Sequence, residues 1–408
     1  MHKRAKDIVQ KLKEHGYIAY YAGGWVRDFL LELDSDDIDI ATSAPPDVVQ
    51  SLFERTIPIG AAFGIILVIK GEHQYEVATF RRDLEYKDGR RPSAIEFTSA
   101  VEDAKRRDFT INGMFYDPIE KKIIDYVEGQ KDLKKKIIKA IGNPHERIKE
   151  DRLRMLRAVR LSAKFDFEIE ENTKKAIIAH AKELFPSVAI ERIWQELSKM
   201  DVHKNFKKGL LILFDFGILQ TIFPSLEKTD RKKIENRLLY LSSFPENSPV
   251  IAKILDLFPK SSLNEKIELC KYLKLSNDAV NFVSSYHHFS TLIAKKEIAN
   301  DLWAFFYADK YSDICIKIIA AHMSFNEKAT FLEYHAHKQN SLLPFIQRIE
   351  NKDPVVKAKH LIACGISPSP MMGNLLKKAE KISINEKTED TDAIIAELKK
   401  TNLWPKTL

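Results

Sequence analysis

The chain has few of the features that secreted, membrane-spanning and zinc-binding proteins require. Its 408 residues include three cysteines, Cys270, Cys315 and Cys364, which lie far apart and lack CxxC spacing. This set excludes a disulfide framework and fits a reducing compartment. No apolar run approaches the roughly 18 residues that cross a bilayer, and the basic N-terminus lacks the apolar core of a signal peptide. We therefore expect a cytoplasmic protein with no membrane partner.

The chain also has only a small excess of positive over negative charge. The chain has 65 Lys and Arg against 58 Asp and Glu, a net charge of +7, which permits a nucleic-acid partner without requiring one. The 12 histidines show no metal-ligand spacing, and no repeat or low-complexity segment is present. With 44% hydrophobic residues, the composition is typical of a globular protein, and the length indicates two to four domains.

The first 140 residues alternate between helical and strand patterns. A helical pattern ends at Gly16, a strand leads to Gly23-Gly24, and prolines open the helix that begins in "APPDVVQSLF". The runs "FGIILVIKG" and "QYEVATFR" predict a hairpin around Gly71-Glu72, and "AIEFTSA" predicts a last strand. From about Pro144 onward strands vanish and helical patterns fill the chain, so we expect a small α/β head followed by a long helical body.

Two acids in the head suggest metal chemistry. Asp37 and Asp39 alternate in "DDIDIAT", so on a strand they would point to one face. Mg²⁺ prefers oxygen ligands and binds through one or two carboxylates together with substrate phosphates. Gly23-Gly24 would leave backbone N–H groups open to a phosphate at the start of a helix, and Arg27 follows one turn later. Together these residues predict a site for phosphoryl or nucleotidyl transfer.

A second polar cluster follows in "EDRLRMLRAVRLSAKF", which we interpret as one helix. Asp151 and three arginines at steps of three, Arg154, Arg157 and Arg160, would fan across one half of it. The apolar residues between them would bury the other half. The spacing places one acid beside several guanidinium groups instead of pairing them off, and these groups can supply the donors and acceptors that a base edge needs.

These motifs resemble the class II tRNA nucleotidyltransferase (CCA-adding) and bacterial poly(A) polymerase family of the DNA polymerase β-like nucleotidyltransferases. Five ordered segments carry the resemblance: "GGWVRDFLL…DDIDIAT", "RRDFTING" (106–113), "EDRLRMLRAVR" (150–160), "AIERIWQEL" (189–197) and "GISPSPMMGNLL" (365–376). The sequence departs from the family pattern at Ser369, where glycine is usual, at Gly113, where alanine is common, and in "LELDSDD", which lacks the usual Gly-Arg.

The resemblance implies an α+β fold, in which a polymerase β-like head with a mixed sheet precedes an all-α neck, body and tail. It implies four domains: the catalytic head at 1–140, the nucleotide-selecting neck at 141–200, the body at 201–330 and an RNA-binding tail at 331–408.

The implied activity is addition of CCA, from CTP and ATP, to the 3′ end of tRNA or another RNA. Asp37 and Asp39 would hold Mg²⁺ and serve catalysis, and we expect a monomer or a weak dimer. The residues implied to bind the nucleotide are Gly24, Arg27, Arg107, Asp151, Arg154, Arg157 and Arg160. Asp151 and Arg154 would read the base, whereas Arg157 and Arg160 would hold phosphates or shape the pocket.

Several alternatives stay open. A poly(A) polymerase, an A-adding enzyme or a CC-adding enzyme would share the catalytic motifs. An RNA-binding protein with an inactive head would be expected to lack one of the two aspartates, and a small-molecule nucleotidyltransferase would not need the long helical part. Asp108 is a candidate acceptor for a ribose hydroxyl, and Glu76 is either a third carboxylate near the metal or an ordinary strand acid. The basic segment 81–97 is interpreted as a loop that assists the change from C to A addition.

We predict that Asp37→Ala or Asp39→Ala abolishes nucleotide incorporation and leaves the fold and RNA binding largely intact, because only the metal-holding oxygens are removed. Incorporation of labelled CMP and AMP, alongside circular dichroism and an RNA gel shift, measures this. Near-normal activity of either variant in Mg²⁺ would contradict the proposed mechanism.

Overall fold

The computed structural model describes residues 2–86, 92–201 and 205–405. These residues form two compact units, Met1–Asn236 and Arg237–Leu408. The tip of the basic segment, residues 87–91, lies outside the described residues. No helix in the described part of the chain is both long and apolar enough to cross a membrane. The division into four domains stays a prediction.

The first unit contains a mixed sheet. Its strands and those of two small ladders are β1 (Ala19–Ala22), β2 (Asp39–Thr42), β3 (Thr56–Gly60), β4 (Ile65–Lys70), β5 (His73–Thr79), β6 (Arg81–Tyr86), β7 (Pro92–Phe97), β8 (Phe115–Asp117), β9 (Lys122–Ile124), β10 (Ile137–Ile138) and β11 (Glu168–Ile169). The main sheet has the order β3-β4-β5-β2-β1-β8-β9. Its β2–β5 pair is parallel, whereas its other pairs are antiparallel.

Helices surround this sheet and continue beyond it. They are α1 (His2–Glu14), α2 (Gly24–Leu30), α3 (Pro46–Leu52), α4 (Ala100–Lys105), α5 (Gly129–Lys134), α6 (Pro144–Glu150), α7 (Arg154–Phe165), α8 (Glu171–His180), α9 (Ile190–Asp201), α10 (Phe206–Asp215), α11 (Ile218–Ile222) and α12 (Arg231–Arg237). The expectation of an α+β head followed by helices is confirmed.

Local sequence signals account for much of the head. The β4–β5 register pairs Lys70 with His73, so Gly71 and Glu72 form the predicted two-residue turn, with Gly71 at φ 66°. The strand predicted from "AIEFTSA" forms as β7, but it pairs with β6 in a separate ladder. The short strands β8 and β9 were not predicted. The two-residue β11 lies beyond Pro144, where the sequence predicts helices alone.

The interpretation of residues 150–165 as one helix is wrong. The chain forms α6 and α7 with a break between them, where Asp151 is extended at φ −147° and ψ 105°. Its carboxylate accepts a hydrogen bond from the Leu153 N–H at 3.0 Å, and an aspartate that bonds to the backbone in this way competes with helix continuation. The apolar half of α7 is buried as predicted, at Met155, Leu156 and Val159 among others.

The regular elements in the described residues of the second unit are all helices. Its helices are α13 (Val250–Leu255), α14 (Leu263–Tyr272), α15 (Asn277–Ile293), α16 (Asn300–Tyr307), α17 (Ser312–Ala321), α18 (Phe325–Ser341), α19 (Leu343–Glu350), α20 (Ala358–Ala363), α21 (Pro370–Asn385) and α22 (Thr391–Lys399). Ser369 caps α21, and its side chain accepts a hydrogen bond from the Met372 N–H. The serine thus has a structural use where the family usually carries glycine.

The pKa values of two histidines in this unit are shifted in opposite directions. His335 is 2% exposed among the rings of Phe289, Trp303 and Phe331, and burial lowers its pKa to about 4. The Tyr307 hydroxyl lies 2.8 Å from its Nδ1. Burial also opposes protonation of His322, but its 3.0 Å contact with Asp256 outweighs burial and raises the pKa.

We predict that stability of the α16–α18 region falls as pH drops from 6.5 toward 4, because the folded state excludes the proton that unfolded His335 binds. Amide hydrogen exchange at pH 7 and pH 5 should show this loss in the wild type, by about 1–2 kcal/mol in opening free energy, and a smaller loss in His335→Gln. His322→Gln is the matched comparison. Because the pKa of His322 is raised in the fold, its protonation stabilises the folded state at low pH, and this contribution disappears as pH rises. His322→Gln should therefore lose more stability at pH 5 than at pH 8. Equal pH slopes for the wild type and His335→Gln would contradict the assignment.

Candidate active site

The acids predicted to hold a metal lie at one end of β2. The β1–β2 register pairs Ala22 with Asp39, and the parallel β2–β5 register pairs Ile40 with Val77. Asp39 therefore lies level with Glu76 on the same face of the sheet. Because β2 begins at Asp39, the exposed Asp37 lies on the segment that leads into the strand rather than on the strand itself.

The charges of these acids interact. Burial of Asp39, followed by the nearby charges of Asp37 and Glu76, raises the pKa of Asp39 to about 7, and Arg107 partly opposes the rise. Within the described ranges, no group of three or more acidic, histidine or cysteine side chains is close enough to hold a metal. These residues therefore fit a site in which protein carboxylates supply part of the metal ligands. The remaining oxygen ligands would come from nucleotide phosphates and water, as is usual for Mg²⁺.

The turn after β1 lies against this acidic end. Gly23 has φ 70°, a conformation that favours glycine. A Cβ on Gly23 would lie 3.4 Å from both the Asp39 Oδ2 and the Arg107 Nη1. The turn therefore approaches an anionic and a cationic group at once. Arg107 is held in place by Asp103, whose Oδ2 accepts from its Nη2 at 3.0 Å, and it lies over the Phe115 ring.

Arg27 is an interior residue rather than an exposed cation. It is 6% exposed, its Nε donates to Asp28 at 2.8 Å, and its guanidinium lies 4.6 Å from the Phe165 ring centroid. A Cβ on Gly24 would lie 3.3 Å from the Arg27 Nη2. These contacts join α2 to the end of α7. They support a positioning role for Arg27, and its predicted contact with a phosphate stays a prediction.

A chain of hydrogen bonds connects Arg27 to α7. The Asn112 Oδ1 accepts from the Arg27 Nη1 at 2.5 Å, and the Asn112 Nδ2 donates to the Asp108 Oδ1 at 3.3 Å. The other Asp108 oxygen accepts from the Arg157 Nε at 2.8 Å. Burial opposes ionisation of Asp108, but Arg157 and then Arg154 outweigh it and lower the pKa to about 2. Asp108 is therefore an anion that anchors Arg157.

The arginines of α7 are paired, contrary to the expectation that one acid faces several unpaired guanidinium groups. Glu150 lies four residues before Arg154, whereas the partners of Arg157 and Arg160 come from distant elements, which the spacing within α7 could not show. The pairs are Arg154 with Glu150 at 2.5 Å, Arg157 with Asp108 at 2.5 Å and Arg160 with Glu196 at 2.6 Å, and Asp151 pairs with Arg192 at 3.0 Å. Among these arginines Arg157 has the most exposed side chain, at 39%. The structure thus brings together all the predicted residues of the α7 cluster and fixes each in orientation.

Four residues of this network were not singled out from the sequence, although they lie within the quoted motifs. Asn112 closes "RRDFTIN", Glu150 opens "EDRLRMLRAVR", and Arg192 and Glu196 lie in "AIERIWQEL". Arg192 and Glu196 are four residues apart on α9, so they share a face. Their opposite charges suggest a pair within the helix, but each contacts a residue of the α6–α7 region instead. Only tertiary structure shows this choice.

Comparison with known proteins extends the likeness to nearly the whole chain. Residues 19–139 match the model of the poly A polymerase head domain, and residues 166–229 match that of a probable RNA and SrmB binding site of polymerase A. A CCA-adding enzyme of Lactococcus lactis subsp. lactis is 33% identical over 404 residues, covering 97% of both chains. One from Oceanobacillus iheyensis is 39% identical over 292 residues, covering 71% of this chain and 72% of its own.

Comparison with solved structures also finds CCA-adding enzymes. The Bacillus stearothermophilus CCA-adding enzyme in complex with CTP is 26% identical and superposes with a TM-score of 0.79, covering 97% of this chain and 96% of its own. The Thermotoga maritima CCA-adding enzyme complexed with tRNA shares the fold at 22% identity and a TM-score of 0.64, covering 96% of this chain and 93% of its own.

We predict that Asn112→Ala raises the KM for nucleotide at least about tenfold, because hydrogen bonds to two charged groups are lost. The buried Arg27 loses an acceptor, and Asp108 loses a donor. Asn112→Asp should be more harmful, because its carboxylate would repel Asp108. Steady-state kinetics measures both, with the exposed Asn172→Ala as the control. Unchanged kinetics for Asn112→Asp would show that the chain from Arg27 to Arg157 has no part in nucleotide use.

Proposed function

The chain belongs to the family of CCA-adding enzymes, and on that premise we propose that it adds CCA, from CTP and ATP, to the 3′ end of tRNA. The chain is a nucleotidyltransferase. The observation that carries the proposal is the meeting of Asp39, Gly23 and Arg107 at one end of the sheet, together with the α7 arginine cluster. The similarity to CCA-adding enzymes over 97% of the chain supports CCA addition over the poly(A) alternative.

Enzymes of this family generally need a divalent metal, and we propose Mg²⁺ held by Asp37 and Asp39. Both offer hard oxygen ligands, and the crowding of negative charge around Asp39 suits a cation. When bound, such an ion lowers the pKa of an attacking hydroxyl and neutralises charge on the departing pyrophosphate. Glu76 lies beside Asp39 and adds to the negative charge there.

In the proposed reaction the terminal 3′ oxygen of the RNA forms a bond to the α-phosphorus of the nucleotide. The bond from that phosphorus to the bridging oxygen breaks, and pyrophosphate leaves. Arg107 lies beside the acids and the Gly23 turn, where it can neutralise phosphate charge. Arg157, the most exposed arginine of the α7 cluster, can do so while it stays anchored by Asp108. Both are oriented by buried acids before any nucleotide arrives, which reduces the entropy lost on binding.

We propose that Asp151 and Arg154 read the base. Asp151 keeps one oxygen on the Leu153 N–H and the other on Arg192, so its orientation is fixed. Each carboxylate oxygen has a further lone pair, which can accept from the exocyclic amino group that cytosine and adenine share. Uracil and guanine present the opposite polarity at the corresponding position, so they would leave this acid without a donor.

The partners follow from the same premise. Solved structures of CCA-adding enzymes are complexes with tRNA, CTP or ATP, and we propose these three as the partners of this chain. A cytoplasmic location and a monomeric or weakly dimeric state stay predictions. The basic segment 81–97, which was expected to be a loop, instead forms strands β6 and β7 on either side of residues 87–91, which lie outside the described residues. Its role in the change from C to A addition stays a prediction.

The decisive experiment supplies tRNAs that end before, within and after CCA, with each nucleotide given singly, and sequences the products. We expect C addition to tRNA lacking CCA and to tRNA ending in C, A addition to tRNA ending in CC, and none to complete tRNA. Addition of long A tails would favour a poly(A) polymerase, and addition of C alone or A alone would identify a partial enzyme.

We predict that Asp151→Ala lowers CTP and ATP use and narrows the margin over UTP, because the fixed acceptor for the amino group is gone. The loss should be about a hundredfold in kcat/KM, the scale of an unmade hydrogen bond to a charged group. Arg157→Ala should weaken use of every nucleotide without changing their ratio. Kinetics with four nucleotides tests both. If Asp151→Ala kept wild-type discrimination, the base would be read elsewhere.

A further inference from the structure

A cavity of about 650 Å³ lies in the first unit between α1, the end of α2 and β8. Its wall includes Tyr21 and Tyr116, which pair across the β1–β8 register. Ala22, which follows Tyr21 in the chain, pairs with Asp39 across β1–β2. Because side chains alternate along a strand, the cavity and Asp39 lie on opposite faces of the sheet. The cavity is therefore separate from the candidate active site.

The wall of the cavity is aromatic. Trp25 and Phe29 stack with ring centroids 5.1 Å apart, and Tyr116 lies 5.0 Å from Phe29. Phe29 is 44% exposed, although the fold has buried its neighbour Trp25 to 5%. An exposed ring that borders a preformed cavity offers a stacking surface to a planar ligand. The cavity volume lies within the range typical of small-molecule sites.

The charges around the cavity are divided by sign. Lys3 and Lys6 line it from α1, and both are exposed. Glu32 and Asp34 line it from the segment after α2. A ligand with one anionic end and a polar end that donates hydrogen bonds matches this division. A continuous polyphosphate strand such as RNA does not, because it would run past the two carboxylates.

We propose that this cavity binds a free nucleotide, with the base against Phe29 and Tyr116 and the phosphates at Lys3 and Lys6. Glu32 and Asp34 accept hydrogen bonds from ribose hydroxyls or an exocyclic amino group. This site is additional to the catalytic one. The last lining residue of this segment, Ser35, lies two residues before Asp37 in the chain.

Equilibrium dialysis with labelled ATP and Mg²⁺, up to about 1 mM, counts the sites. We expect two ATP molecules per wild-type chain. The double variant Lys3→Glu/Lys6→Glu should bind one ATP in this concentration range, because its affinity at the second site is at least tenfold weaker. Phe29→Ala should also lose the second site, through lost stacking. The matched control is Lys134→Glu/Lys135→Glu, which makes the same charge change at exposed lysines elsewhere in the head and should keep two sites. Nucleotide incorporation into tRNA is followed for every variant and should persist.

One site in the wild type, or two in Lys3→Glu/Lys6→Glu, would overturn the proposal. If the wild type bound one ATP and the double variant instead lost affinity for tRNA, the lysines would belong to an RNA-binding surface, which also overturns it. Because incorporation is measured in the same samples, failure of this inference is distinguishable from failure of the proposed function. An active wild type with a single site sinks only the second site.

Discussion

Crowding of negative charge at one end of β2 is the constraint on which the site depends. Asp39 is drawn partly into the interior beside Asp37 and Glu76, and its pKa rises to about 7. The fold tolerates this because the β1–β2 and β2–β5 pairings fix the strand from both sides. The backbone of the Gly23 turn and the Arg107 side chain both lie beside Asp39 at this end of the strand. A cluster of carboxylate oxygens of this kind suits a divalent cation that is bound together with a nucleotide.

A second constraint couples the head to the helices that follow it. Asp108 is buried as an anion and holds Arg157, while Asn112 connects it to Arg27 on α2. Removing one partner of such a network leaves a buried charge unpaired, which costs more than the bond contributes. The same logic places Arg192 and Glu196 on one face of α9, where they orient Asp151 and Arg160. The groups proposed to contact the nucleotide are thus held in place by residues that need not touch it.

Sequence reasoning found the elements whose signals are local. The Gly16 stop, the proline start of α3 and the Gly71-Glu72 turn depend on backbone preferences of single residues, and the acids and α7 arginines were recognised from their spacing. It failed where the outcome depends on distant partners. The partners of Arg157 and Arg160 come from distant elements, and the short strands β8 and β9 are stabilised by their neighbours in the sheet. The break at Asp151 has a local cause, the bond from its side chain to the Leu153 N–H, which the helical spacing of the arginines masked.

Metal binding tests the central claim most directly, because it does not depend on turnover. Mn²⁺ can replace Mg²⁺ as an oxygen-seeking cation, and its free form is measured by electron paramagnetic resonance at fixed CTP. The account predicts that the wild type takes up Mn²⁺ with CTP, that Asp37→Asn and Asp39→Asn each weaken uptake at least tenfold, and that the exposed control Asp47→Asn does not. Uptake by Asp39→Asn equal to that of the wild type would contradict the assignment of the metal to these two aspartates.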